Sequence, residues 1–127
     1  MSAEIIDGKE IAREIRSQIA REVRELRSRG ILPGLAVVFV GDNPASASYI
    51  RGKERACEEV GIVSETLRFQ DTISQGDLIR EIYRLNHEPS FHGILVQLPL
   101  PPAIDPSAIA ESVDCKKDVD GFHPVNV

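Results

Sequence analysis

Cysteine is scarce in this chain of 127 residues: only Cys57 and Cys115 occur, far apart and with no C-x-x-C partner. That excludes a disulfide-stapled scaffold and reads as two free thiols in a reducing compartment. A basic excess is also missing. Twenty acidic side chains against fifteen basic ones leave a formal charge of −5, whereas phosphate-backbone binding needs clustered positive charge, so nucleic acid is not an expected partner. No run approaches the roughly 18 apolar residues of a membrane span, so no membrane partner is expected either. Glu4, Asp7 and Glu10 near the N-terminus do not look like a signal or transit peptide. The glycine signatures of nucleotide sites and hydrolases are absent too: no G-x-G-x-x-G after a strand, no Walker-type loop and no G-x-S-x-G elbow. There is no internal repeat and no low-complexity segment. What is present is a chain 42% hydrophobic, enough for the core of one domain, and expected in the cytoplasm.

The local patterns alternate. Ile11, Ile15, Ile19, Val23 and Leu26 recur every three or four residues between Arg and Glu, which predicts an amphipathic helix with a solvated outer face. Asp7 with Glu10 resembles a capping box at its start, and Gly30 supplies its stop. Leu35 to Val40 is an unbroken apolar run ended by Gly41, as expected of a strand buried on both faces of a parallel sheet. Asn43-Pro44 opens a helix to about Val60, stopped by Gly61, with Ile50, Ala56, Cys57 and Val60 as a modest stripe. Ser64 to Phe69 is a weaker strand. Ser74 and Asp77 open a helix carrying Leu78, Ile79, Ile82 and Leu85. Gly93 to Leu98 is a third buried strand, broken by Pro99, Pro101 and Pro102, and Asp105-Pro106 starts a short helix. Strand and helix in alternation predict an α/β domain, three layers as α/β/α around a mostly parallel sheet.

In such sheets ligands bind beyond the carboxyl ends of the strands, and the unusual residues gather there. Ser46, Tyr49 and Lys53 are spaced three and four apart after the first strand, so they share one helix face. A lysine beside a tyrosine in a cleft suits acid–base work; the plainer alternative is a core-edge aromatic and a surface lysine. Gln97 interrupts the third strand, and a buried amide needs a partner: a ligand, a charged side chain or a neighbouring backbone group. The prolines after it are either a stiff pocket wall or an edge turn. In Lys117-Asp118-Val119-Asp120-Gly121-Phe122, two carboxylates point the same way if the segment is extended. They could accept paired N–H donors from an aminopyrimidine-like ring. A metal site is conceivable, but His87, His92 and His123 lack ligand spacing with them, and a Mg²⁺ reading rests on the two carboxylates alone. Taken alone, Asp-x-Asp-Gly is more often a turn.

Three segments together resemble one family. Val40-Gly41-Asp42-Asn43-Pro44-Ala45-Ser46-Ala47-Ser48-Tyr49-Ile50 with Lys53, Gly93-Ile94-Leu95-Val96-Gln97-Leu98-Pro99-Leu100-Pro101, and Lys117-Asp118-Val119-Asp120-Gly121-Phe122 with Asn126 are similar to the bifunctional methylenetetrahydrofolate dehydrogenase/methenyltetrahydrofolate cyclohydrolases. They cover essentially the whole chain, in order. The resemblance implies an enzyme of one-carbon metabolism that interconverts 5,10-methylene-, 5,10-methenyl- and 10-formyltetrahydrofolate, with NADP as cofactor and no metal. It implies that Lys53 takes part in proton transfer, that Tyr49 packs on the folate and helps position that catalytic lysine, and that Gln97 hydrogen-bonds the lysine and tunes it. It further implies that Asp120 holds the pterin ring, while Ser46, Leu98 and Pro99 line the pocket. Members of the family are about twice this long and have two domains. Residues 1–127 then correspond to the folate-binding catalytic domain, and the Rossmann-like NADP domain is not in this chain, so hydride transfer is doubtful for these residues alone. The full-length protein is expected to be a homodimer. The alternative reading is a truncated, non-catalytic folate-binding module.

Overall fold

The unbroken apolar run becomes the central strand. In the computed structural model, which describes residues 8–119, β1 (Gly34–Val40) lies between β2 (Val63–Phe69) and β3 (Gly93–Val96), and both pairings are parallel. The helices are α1 (Gly8–Ser28), α2 (Pro44–Val60), α3 (Gln75–Asn86) and α4 (Pro106–Ser112). A strand with neighbours on both edges and helices on both faces has no polar surroundings. Accordingly every residue of β1 is buried except the half-buried Leu35. β2 is an edge strand and is more exposed, which is why its pattern is weaker in the sequence.

Alternation along β1 divides the core in two. Ala36, Val38 and Val40 pack with Leu78, Ile82 and Leu85 of α3 and Ile109 of α4. Val37 and Phe39 face the other way, against Ile50 of α2 and Leu95 of β3. This is the expected three-layer arrangement, and every strand pairing in it is parallel.

Helix ends follow the expected chemistry. The Asn43 side chain accepts from the amides of Ala45 and Ser46, and Gly61 closes α2 in the left-handed region at φ 90°. Ser74 caps α3 by accepting from Asp77, and Asp105 caps α4 by accepting from Ser107. Asp7, the expected cap of α1, lies outside the described residues.

Three boundaries and two stripes differ from the sequence expectation. β1 and β2 each begin one residue earlier, because Gly34 and Val63 already pair with one another. β3 ends at Val96, so Gln97 and Leu98 lie just beyond the strand; the Gln97 amide still donates to the Val38 carbonyl at 2.9 Å. On α2, Ala56 is exposed, leaving Ile50 and Val60 as its buried anchors. On α1 only the second half of the stripe is covered: Val23 is 4% exposed, whereas Ile11 and Ile15 are 41% and 52% exposed.

Candidate active site

The chain leaves β1 through Gly41, whose φ of 92° belongs to the left-handed region that favours glycine. Asn43 and Pro44 then start α2 at once, so the first turns of that helix stand over the carboxyl end of the sheet. Ser46 is buried, Tyr49 is exposed one turn further on, and Lys53 is half-buried one turn after that.

The Lys53 ammonium donates to Oε1 of Gln97 at 2.8 Å, across 44 residues of sequence. Gln97 has a second partner: its Nε2 donates to the Leu98 carbonyl at 3.1 Å. These two bonds fix the amide's orientation, since the NH2 group needs an acceptor and the oxygen needs a donor. Gln97 therefore meets both a charged side chain and backbone. The Ser46 hydroxyl also faces the Leu98 carbonyl, at 3.5 Å. Ser46 thus backs the loop after β3 from within the fold rather than opening to solvent. Leu98 and Pro99 are exposed, and the peptide bond between them is cis.

Tyr49 makes no hydrogen bond to Lys53 among the described residues. Tyr49 is 67% exposed, on the helix face that one turn later carries Lys53. A large aromatic surface left open next to a polar pair is a platform on which a flat ring can stack. Asp120, the remaining expected site residue, lies outside the described residues. Its neighbour Asp118 forms a parallel bridge with Ile94 of β3.

Two hollows flank this site. One, of about 310 Å³, lies between β3 and α4; Ile94, Val96, Leu98, Ile109 and Asp118 are among its walls, and Leu98 is the only expected site residue it touches among those described. The other, of about 330 Å³, lies at the ends of β1 and β2, with Asp42, Arg68, Phe69 and Asp71 among its walls. The half-buried Lys53–Gln97 pair lines neither of them.

The start of α2 does not fit a dinucleotide's pyrophosphate. A pyrophosphate binds where the amides of a helix N-terminus are free. Here the amides of Ala45 and Ser46 are taken by Asn43, at 2.9 and 3.1 Å, and Asp42 stands beside them in the chain. Among the described residues no group of three or more His, Cys, Asp or Glu side chains could hold a metal ion. Burial, with the Glu54 carboxylate as a smaller cause, pushes the Cys57 thiol above its ordinary value, so Cys57 is not a thiolate nucleophile near neutral pH.

Other residues were not singled out by their sequence pattern. The Leu98 carbonyl is faced by two side chains, and no side-chain pattern encodes a backbone acceptor. Asn86 ties α3 to the end of α4, with Nδ2 donating to the Ser112 carbonyl at 2.8 Å and Oδ1 accepting from the Asp114 amide at 2.9 Å. His92 reaches back to Gly34, its ring nitrogen accepting from the Gly34 amide at 3.1 Å. Lys117 stands within a quoted motif, but nothing in that motif marks its partners.

Fold and site together define a parallel α/β domain with a lysine–amide pair at the carboxyl edge of its sheet. The family model for the tetrahydrofolate dehydrogenase/cyclohydrolase catalytic domain matches residues 6–120, and the chain belongs to that family. It is 54% identical over its whole length to the bifunctional protein FolD of Bacillus cytotoxicus, covering 44% of that protein. Its fold matches the crystal structure of the bifunctional FolD dehydrogenase/cyclohydrolase of Campylobacter jejuni, with a TM-score of 0.93, 48% identity, and coverage of 94% of this chain and 43% of that one. It also matches the FolD of Trypanosoma brucei, solved with NADP cofactor and an inhibitor, with a TM-score of 0.88, 36% identity, and coverage of 95% and 41%. The chain thus spans less than half the length of these relatives, and the stretch it matches is their N-terminal catalytic domain.

Proposed function

We propose that residues 1–127 form the folate-binding catalytic domain of a one-carbon enzyme, and that the step its own residues address is the hydrolysis of 5,10-methenyltetrahydrofolate to 10-formyltetrahydrofolate. The observation that carries this is the 2.8 Å bond from Lys53 Nζ to Gln97 Oε1, one helical turn from the exposed Tyr49.

The methenyl carbon lies between two nitrogens and is electron-poor. Water adds to it, the new hydroxyl loses its proton, and the bond to N5 opens with that nitrogen protonated. The formyl group is left on N10, and one proton is released overall. Each step needs a proton moved at a defined place, which a positioned side chain accelerates by about 10²–10⁴-fold. Lys53 is the group placed to move it. Gln97 holds the lysine by one N–H, and the Leu98 carbonyl holds Gln97 in turn. Tyr49 would stack on the folate, Leu98 and Pro99 would edge the pocket, Ser46 would support them from behind, and Asp120 would take the paired N–H donors of the pterin.

The dehydrogenase activity named for the relatives requires a dinucleotide. The start of α2 does not fit its pyrophosphate, because Asn43 takes the Ala45 and Ser46 amides, so no hydride step is derived for these residues.

Adding the chain to 5,10-methenyltetrahydrofolate without nucleotide should give saturable loss of the substrate. Lys53→Met should lower the rate by about a hundredfold or more while folate binding persists. A rate unchanged in Lys53→Met would overturn the assignment of the lysine. Binding without turnover in the unsubstituted chain would make it a folate-binding module.

A further inference from the structure

The short helix α4 has seven residues, fewer than the roughly 12–15 that an isolated helix needs in water. Its own residues satisfy only part of its first turn. Asp105 accepts from the Ser107 amide at 3.0 Å. Ala108, however, stands where the glutamate or glutamine of a capping box would reach back to the amide of the cap residue. Gln75, the first residue of α3, supplies that acceptor from another helix: its half-buried Oε1 accepts from the Asp105 amide at 2.8 Å. The far end of α4 is held in the same way. Asn86, the last residue of α3, donates to the Ser112 carbonyl and accepts from the Asp114 amide. Just beyond, the Lys117 ammonium donates to the carbonyls of Leu85, at 3.3 Å, and Glu88, at 3.1 Å, where α3 ends. The two ends of α3 thus fix where α4 begins and where it stops.

The start of α4 bears on the site, because the chain from Gln97 to Asp105 is the loop on which the lysine's partner depends. At one end of it the Gln97 amide donates to the Val38 carbonyl, and Gln97 Nε2 donates to the Leu98 carbonyl. At the other end Ile104 is buried, and its amide donates to the Pro101 carbonyl at 3.0 Å. Pro99, Pro101 and Pro102 lie between. Each proline ring fixes φ, so the loop has little freedom to absorb a shift at its far end. Leu100 packs against the core that α3 and α4 share.

We propose that Gln75 is a positioning residue for the lysine–amide pair. By fixing the start of α4 it holds the proline loop, and through the loop it holds the Leu98 carbonyl that orients Gln97 against Lys53. This rests on the reading of Lys53 as the group that moves the proton. Gln75 bonds to neither Lys53 nor Gln97. What it sets is where the ammonium is held, and misplacing a reacting group by about 1 Å can cost on the order of a hundredfold.

The test is the hydrolysis of 5,10-methenyltetrahydrofolate, followed as the saturated rate and the half-saturating concentration, with the unfolding midpoint of each variant. Gln75→Met keeps the length of the side chain and removes the acceptor. It should lower the saturated rate about tenfold, part of the roughly hundredfold cost of a displaced group, with half-saturation kept within about twofold. Gln75→Glu, whose carboxylate still accepts from the Asp105 amide, should restore most of the rate. Gln75→Ala should behave like Gln75→Met, and it keeps the test open if the methionine disturbs the packing. Val23→Ala, which removes core volume beside α1 and leaves the loop alone, should lower the unfolding midpoint with the saturated rate unchanged. In the Lys53→Met background, Gln75→Met should have no further effect, because both act through one ammonium. An unchanged rate in Gln75→Met and Gln75→Ala, a loss that Gln75→Glu does not restore, a loss that Val23→Ala reproduces, or losses that add to that of Lys53→Met would overturn the proposal and leave the folate reading standing. An unsubstituted chain with no saturable hydrolysis would overturn both.

Discussion

Thr66 has a buried hydroxyl oxygen with no hydrogen-bond partner, the only such side-chain atom among the described residues. An unsatisfied buried polar group costs about 1–3 kcal/mol, and β2 needs only the β-branched shape at this position. Thr66→Val is therefore expected to stabilise the chain by about 1 kcal/mol in urea unfolding, and a loss of stability would show that the hydroxyl has a partner in solution. Gln97 is the opposite case. Its amide is as polar as the threonine hydroxyl, but both ends are satisfied, by Lys53 and by the Leu98 carbonyl. An amide interrupting Ile94-Leu95-Val96 was legible in the sequence as something that needs a partner. Which partner it has was legible only through the family resemblance, because 44 residues separate it from Lys53 and no local spacing reaches that far.

At the scale of elements, α1 shows what periodicity does and does not determine. Its stripe of isoleucine, valine and leucine every three or four residues forces a helix with one apolar face. How much of that face is covered depends on what lies opposite. Val23 packs toward Gly61 at the end of α2, and an added Cβ on that glycine would come within 3.2 Å of Val23 Cγ1. Ile15 is 52% exposed. Val23→Ala should therefore cost about 2 kcal/mol, while Ile15→Ala should change stability by less than about 0.5 kcal/mol; thermal unfolding of the two variants side by side checks the contrast. Equal losses would mean that the first half of the stripe is also covered in solution. The caps of α2, α3 and α4 were legible in full, because Asn43, Ser74 and Asp105 act on amides two or three residues away. The end of β3 was not. Gln97 keeps its backbone bond to Val38, and whether the strand pairing continues past Val96 depends on that neighbour rather than on the residues themselves.

Across the whole molecule, several distant segments meet at the start of β1. Gly34 pairs with Val63 of β2, its carbonyl accepts from the His92 amide at 2.8 Å, and its own amide donates to the His92 ring. A Cβ on Gly34 would overlap the Ser90 carbonyl oxygen, which is backbone and cannot rotate away. Gly34→Ala is expected to destabilise by about 3 kcal/mol or more, among the larger effects of a single substitution. Gly52→Ala, on the open side of α2 with nothing within 4 Å, should stabilise by about 0.5–1 kcal/mol. Circular dichroism melts of both variants decide the matter, and similar midpoints would refute the close approach.

The sequence by itself determined the alternation of strand and helix, the buried central strand, the caps of α2, α3 and α4, and the face that Ser46, Tyr49 and Lys53 share. Each of these depends on residues within a few positions of one another, where backbone geometry sets the spacing. Only the tertiary structure decided that Lys53 meets Gln97, that Ser46 backs the Leu98 loop, that half of α1 stays open, and that Lys117 grips the end of α3. Those contacts join segments tens of residues apart, and parallel pairing with packing on both faces of the sheet is what brings them together.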